Sequence, residues 1–259
     1  HLRDCVLLFG DEAFYAGDKR HESILKMLVT EETIMVEPKF VDAKQSRNFI
    51  HLMMASNDSW VVPAGLRDRR FFVLQVTSSH ALEAAWFNEI QKELDSGGRE
   101  ALLHHLLTYD LKGFDVRIVP GTQALQEQKL LSLSAEEDWW VAKLKDGEML
   151  EDMEWGDVCG KELFMDFVEY WGMHGSGRKP TIQRLGLFLC EQCPGELLKT
   201  QSRQSHEYKD FRGVTVTIKR PWFYHFPPLA DCRAHWDKQF GGKTNWPDTL
   251  QLVAEELPF

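Results

Sequence analysis

The chain has 259 residues, of which 43% are hydrophobic, 12% aromatic and 27% charged, a composition that builds a buried core and excludes disorder throughout. It exceeds the usual span of roughly 100–200 residues for one domain, so one large or two modest domains are expected. A formal net charge of −10 weighs against indiscriminate nucleic-acid binding, no apolar run reaches membrane-spanning length, and five cysteines are too few for a disulfide framework, which points to a reducing cytoplasm.

Residues 5–9, Cys-Val-Leu-Leu-Phe, are a continuous apolar run closed by Gly10, the pattern of a strand buried on both faces. The run is too short for a signal peptide, and with His at position 1 the sequence reads as a piece of a longer chain. Residues 18–30 predict a helix with Ile24, Leu25 and Leu28 on one face and Asp18 as N-cap. The β-branched stretch 33–36 and the run 48–55 predict a β-hairpin with a basic, partly aromatic tip. Residues 71–76 read as a further short strand. Helices are expected at 82–94 and 100–109, split by Gly97-Gly98, at 122–131, and ending near 144. An acidic stretch over 147–157 is the expected linker. Beyond it come helices at 161–171 and 181–193, the second capped by Thr181 and stopped by Pro194-Gly195, then strands near 197–201, 214–219 and 222–226. Helix, helix, hairpin is the order of a winged helix, whose second helix enters the major groove while the hairpin touches backbone.

Charge is unevenly spread. Residues 135–169 hold twelve acids against three lysines, whereas 178–220 hold nine Lys/Arg against four acids. A local basic block governs phosphate contact more than the global sum does, because screening limits electrostatic reach to about 8–10 Å. Arg178, Lys179 and Arg184 lie around the start of the second helix, and Lys209, Arg212, Lys219 and Arg220 on the expected wing. The bland alternative is a solvated basic face.

Three short stretches carry chemistry. An apolar strand that delivers Asp11-Glu12 at its C-terminal end has the form of a Walker B motif. There Asp11 would hold a nucleotide-bound Mg²⁺ and Glu12 would orient the attacking water. A strand ending in Met-Ala-Ser-Asn places Asn57 where an amide reaches a γ-phosphate or the lytic water; the plain alternative is an Asn closing a turn. Arg67, Arg69 and Arg70 precede the strand at 71, a position from which an arginine reaches a neighbour's nucleotide; an internal pair through Asp68 is the alternative.

The order of these stretches resembles the superfamily 3 helicase module of phage and plasmid primase-helicases. The matching residues are Phe-Gly-Asp-Glu-Ala-Phe-Tyr-Ala-Gly-Asp-Lys (9–19), Thr-Ile-Met-Val-Glu-Pro-Lys (33–39), Met-Ala-Ser-Asn (54–57), Trp-Val-Val-Pro-Ala (60–64) and Asp-Arg-Arg-Phe-Phe-Val-Leu (68–74). The likeness runs to about residue 140. It implies an α/β fold: an AAA+-like P-loop NTPase lobe, incomplete here, over 1–80, a helical region over 81–146 and a winged-helix-like domain over 147–259. It further implies a ring, usually a hexamer, that uses ATP and Mg²⁺ to move along one DNA strand, encoded by a phage or mobile element and working in a bacterial cytoplasm. By position, Asp11 and Glu12 match Walker B and Asn57 the sensor. Arg69 or Arg70 matches the arginine finger, and the tip from Lys39 through Phe40 to Lys44 matches the hairpin that tracks DNA. Lysines there suit phosphates, and Phe40 suits stacking on a base. No Gly-x-x-x-x-Gly-Lys-Ser/Thr occurs in the chain, so it is not expected to hydrolyse ATP alone. The rival expectation is a non-enzymatic DNA-binding or assembly module from a truncated prophage protein.

Cys190 and Cys193 with Cys232 and His235 have the spacing of two zinc-ligand pairs, but cysteines near a helix end more often serve as small apolar residues, so zinc is not expected. His104, His105 and His206 read as solvated or satisfied, and Trp139-Trp140 as core rather than a stacking surface for bases.

Overall fold

The computed structural model describes residues 2–12, 19–37, 42–175, 179–210 and 213–247. The chain divides into two compact units, residues 1–68 with 126–259 and residues 69–125.

In the first unit, β1 (Leu7–Asp11) runs parallel to β4 (His51–Ala55), with Leu7 opposite His51 and Asp11 opposite Ala55. Between them lie α1 (Lys19–Thr30), β2 (Thr33–Val36) and β3 (Lys44–Arg47). β2 pairs antiparallel with β3, Val36 opposite Lys44. The hairpin expected between 33–36 and 48–55 is therefore corrected: its second strand is the polar Lys-Gln-Ser-Arg segment, and 51–55 belongs beside β1. Asn48 separates the two, its Nδ2 donating to the Leu28 and Glu31 carbonyls at 2.8 Å each and its Oδ1 accepting from Ile50 N. That Asx clamp holds the chain against the end of α1 and ends the hairpin. β1 is not buried on both faces as its apolar run suggests, for Leu7 and Phe9 are 64% and 55% exposed.

The second unit contains α2 (Ala84–Glu93) and α3 (Arg99–Thr108), joined by a wide turn over Leu94–Gly98. Gly97 has φ 97°, which favours glycine, and a Cβ on Gly98 would meet the Glu93 carbonyl oxygen at 2.6 Å. The Gly-Gly pair thus separates the helices as expected. Residues 71–76 form no strand; the segment has no ladder partner among the described residues.

α4 (Gln123–Leu131) leads back into the first unit. Gln128 there accepts from Val61 N at 2.6 Å and Val62 N at 3.2 Å and donates to the Ser59 carbonyl at 2.8 Å, while Trp60 Nε1 donates to Ser132 Oγ. The segment after β4 is thereby tied to the second half of the chain, with Val62, Ala64 and Leu66 buried. Lys129 Nζ donates to the Phe240 carbonyl at 2.8 Å. Burial pulls its ammonium below the usual range, and Asp68 opposes the shift.

α5 (Ala135–Asp146) opens on a capping box of Ser134 and Glu137 and closes on Gly147 in the left-handed region at φ 72°. It is followed by the small hairpin β5 (Glu148–Leu150) and β6 (Met153–Glu154), then β7 (Asp157–Cys159), α6 (Gly160–His174) and α7 (Ile182–Gln192). Next come β8 (Leu198–Gln201), the hairpin β9 (His206–Lys209) with β10 (Thr215–Ile218), β11 (Trp222–His225) and α8 (Leu229–Phe240). β11 lies between β7 and β8, antiparallel to both. Thr181 caps α7 as expected, its Oγ1 accepting from Arg184 N.

The stretch 147–157 is not a linker. Met149 is fully buried and packs with Trp139, Trp140 and Leu144 of α5, Leu163 and Phe167 of α6, Leu189 of α7 and Trp236 of α8. The tryptophan pair is core, as expected. Trp139 Nε1 donates to Asp166 Oδ2 at 2.7 Å, and Lys143 Nζ pairs with Asp166 Oδ1 at 2.8 Å. Arg233 Nε donates to the Leu144 carbonyl, satisfying a helix-end acceptor.

Gly160 starts α6 against β11, and a Cβ there would meet Tyr224 Cε2 at 2.7 Å. Gly160→Ala is expected to destabilise this half of the chain by about 1–3 kcal/mol through overpacking, read as a lower midpoint in chemical denaturation. Among the described residues no helix is long and apolar enough to cross a membrane.

Candidate functional site

The parallel register of β1 and β4 brings their C-terminal ends side by side, where ligands sit in α/β sheets. Asp11 ends β1, and Glu12 follows it at φ 48°, in the left-handed region that a residue with a Cβ enters at a cost of roughly 1 kcal/mol. Glu12 N donates to the Ala55 carbonyl at 2.9 Å, which holds that turn. Two residues beyond Ala55, Asn57 Nδ2 donates to Glu12 Oε1 at 2.8 Å. All three expected residues of this cluster thus come from two strand ends, and all three are exposed. Two carboxylates, one held by an amide and both open to solvent, suit a metal-bound polyphosphate and a water beside it. A backbone in a sparsely populated region supported by neighbouring hydrogen bonds is the usual mark of such a site.

Arg69 and Arg70 are exposed and belong to the second unit. Asp68, beside them in sequence, is buried. Lys39 and Phe40 lie outside the described residues, as do Arg178 and Arg212. Lys44 is exposed and opens β3 opposite Val36, the pair next to the 37–43 connection of the hairpin.

In the second half of the chain, Lys179, Lys209 and Lys219 are exposed. Gln183, Arg184 and Leu187 share the exposed face of α7, whose other face buries Leu185 and Leu189. Arg184 is engaged: its Nη2 lies 2.8 Å from Glu136 Oε1, a carboxylate with only 11% of its side chain exposed. His225 Nδ1 pairs with Asp157 at 2.9 Å and His206 Nε2 with Glu162 at 2.6 Å. Acidic side chains of the 135–169 stretch therefore engage Arg184 and two imidazoles of the 178–225 stretch within one chain.

Cys193 and Cys232 are buried and their thiols face each other; that contact and burial push the Cys193 thiol up. His235 is engaged with Gln239 and the Glu191 carbonyl. His104 and His105 lie exposed on α3.

A family model described as a family of unknown function (DUF5906) matches residues 1–70, the segment that holds Asp11, Glu12 and Asn57. No curated protein matches the chain. Solved structures do, two of them as follows. The apo structure of the NrS-1 C-terminal region (305–718) is 16% identical with a TM-score of 0.55, covering 86% of this chain and 55% of that one. The A form apo structure of the same region is 16% identical with a TM-score of 0.55, covering 88% and 56%. This chain shares its fold with the NrS-1 C-terminal region. It spans about half the length of the solved NrS-1 chains it matches, and at this identity the likeness speaks for the fold alone.

Proposed function

We propose that this chain is the C-terminal part of a replicative DNA primase-helicase, in which residues 1–80 supply half of an ATPase lobe and the region from α5 onward binds DNA. The hydrogen bond from Asn57 to Glu12 beside Asp11, at the C-terminal ends of two parallel strands, carries the reading. In it Asp11 holds Mg²⁺ of a bound ATP, Glu12 positions water and Asn57 orients Glu12. The exposed apolar side chains of β1 and β4, among them Leu7, Phe9 and Met53, suit a sheet face covered by a further layer of an ATPase lobe. Arg69 or Arg70 reaches the nucleotide of a ring neighbour, and the β2–β3 hairpin meets single-stranded DNA in the ring. In this reading the region from α5 onward is winged-helix-like, with α7 as the recognition helix and β9–β10 as the wing; the succession α6, α7, then a β-hairpin supports it.

The test joins this chain to a phosphate-loop segment and measures ATP turnover with and without single-stranded DNA. DNA-stimulated turnover supports the reading; binding to DNA with no turnover in the joined protein favours a non-enzymatic module. Mixing Arg70→Ala subunits with Glu12→Gln subunits is expected to restore part of the activity, because each spoils a different side of a shared site. Failure at every ratio would remove Arg70 from that role.

The DNA arm has its own expectation. If about four of Lys179, Arg184, Lys209 and Lys219 meet phosphates, log K falls against log[salt] with a slope near −3.6, at ~0.9 per contact. Glu136→Gln releases Arg184 from its ion pair and is expected to tighten duplex binding by roughly 2- to 5-fold, reversing the effect of a competing carboxylate. Unchanged affinity in a labelled-duplex titration would show that Arg184 does not face DNA.

A further inference from the structure

We propose that Cys159, Glu162 and His206 form a binding site for a transition-metal ion of the zinc class. The donor atoms of these three side chains lie within 4.8 Å of one another. Zinc bonds of about 2.0 Å to nitrogen or oxygen and 2.3 Å to sulfur set tetrahedral ligands roughly 3.3–3.8 Å apart, so closure on an ion asks only for small rotations. The three residues come from separate constraints of the fold. Cys159 ends β7 and is the N-cap of α6, Glu162 is the third residue of α6, and His206 opens β9. The His206 ring rests edge-on against Phe223 with centroids 5.3 Å apart, and Phe223 lies opposite Cys159 in the sheet. The Cys159 thiol is buried, while Glu162 and His206 are partly covered.

One thiol, one imidazole and one carboxylate are the wrong donors for Ca²⁺ or Mg²⁺ and the right ones for Zn²⁺. Three protein ligands leave a fourth position for water. The 2.6 Å contact between His206 and Glu162 is by itself a hydrogen bond; the thiol beside it has no part in that pairing and distinguishes a metal site from a bridge. An ion held here ties the β9–β10 hairpin to the start of α6. A two-stranded hairpin is marginal alone, so the ion fixes the direction in which it projects. The site uses none of the cysteines in the Cys190, Cys193 and Cys232 group.

The experiment titrates Co²⁺ into the metal-stripped 259-residue chain under reducing conditions, then displaces it with Zn²⁺. One equivalent is expected to bind with a thiolate-to-cobalt charge-transfer band that Cys159→Ser abolishes. His206→Ala and Glu162→Gln are expected to weaken binding more than ~10-fold. Zn²⁺ is expected to raise the melting temperature of the native chain and not of these variants, by linkage of binding to folding. Should Cys159→Ser fail to fold, the two variants at the partly exposed ligands decide the question. The proposal is overturned by the absence of a charge-transfer band, or by equal Zn²⁺ stabilisation of the native chain and His206→Ala. It is equally overturned by a band that survives Cys159→Ser and is lost in Cys232→Ser, which moves the ion to the other cysteines.

Discussion

Glu12→Gln, in a protein that joins this chain to a phosphate loop, is expected to bind ATP normally and to turn it over at least ~10²-fold more slowly. The substitution keeps the size of the side chain and its contact with Asn57 Nδ2, since the Gln carbonyl oxygen accepts the same hydrogen bond now made at 2.8 Å. What it removes, on the proposed reading, is the carboxylate that would polarise the attacking water, and general-base and positioning effects of this kind are worth about 10²–10⁴-fold. Asn57→Ala is the informative companion. It leaves the carboxylate but frees its direction, so turnover falls by less than in Glu12→Gln. Nucleotide affinity and single-turnover hydrolysis, measured separately, distinguish the two. Equal turnover in Glu12→Gln and the parent protein would take Glu12 out of the chemistry.

Trp140→Ala is expected to destabilise the chain by about 3–5 kcal/mol, the cost of removing a large aromatic side chain from a packed core. Trp140 is 0% exposed and packs against Trp155 and Phe226 at ring-centroid distances of 5.6 and 5.7 Å. Its indole Nε1 finds no hydrogen-bond partner among the described residues. Trp140→Phe is therefore expected to cost much less, about 1–2 kcal/mol, because the lost volume is offset by removal of an unsatisfied donor. Urea denaturation followed through the transition of this half of the chain checks both. A Phe variant as unstable as the Ala variant would mean that the indole shape, not burial, holds the core.

α2, α3, α4, α6 and α7 are legible in the sequence, α6 from its amphipathic pattern and α7 from its Thr181 cap and Pro194-Gly195 stop, and the Gly-Gly break between α2 and α3 is visible without coordinates. β3 was not legible, because Lys-Gln-Ser-Arg has no apolar face and is a strand only through its pairing with β2. Residues 147–157 misled for the opposite reason: their acids are exposed while one side chain, Met149, plugs the core. α8 was missed although Cys232, Trp236 and Phe240 stand four residues apart and are all buried, a helical stripe that the metal-like spacing of Cys232 and His235 obscured. At the site, Asp11, Glu12 and Asn57 were legible as strand ends. Their mutual contact was not, since it depends on the parallel register of strands that lie far apart in sequence. The likeness of Cys159 and Glu162 to half a metal site was equally invisible until β9 brought His206 to them.

The place of β11 has a consequence for how the protein is made. The middle strand of the β7–β11–β8 sheet comes last in the chain, so neither β7 nor β8 has a ladder partner until Trp222–His225 arrives. During synthesis the tryptophan-rich helix α5 and the apolar faces of α6 and α7 leave the ribosome before the strand that closes the sheet beneath them. Pairing Cys159 with Phe223 also closes a long loop, an entropic cost met before any contact rewards it. This half of the molecule is thus expected to complete its sheet only after β11 is made. A nascent chain stalled before β11 exposes two bare strand edges, which is where chaperone capture and aggregation compete with folding.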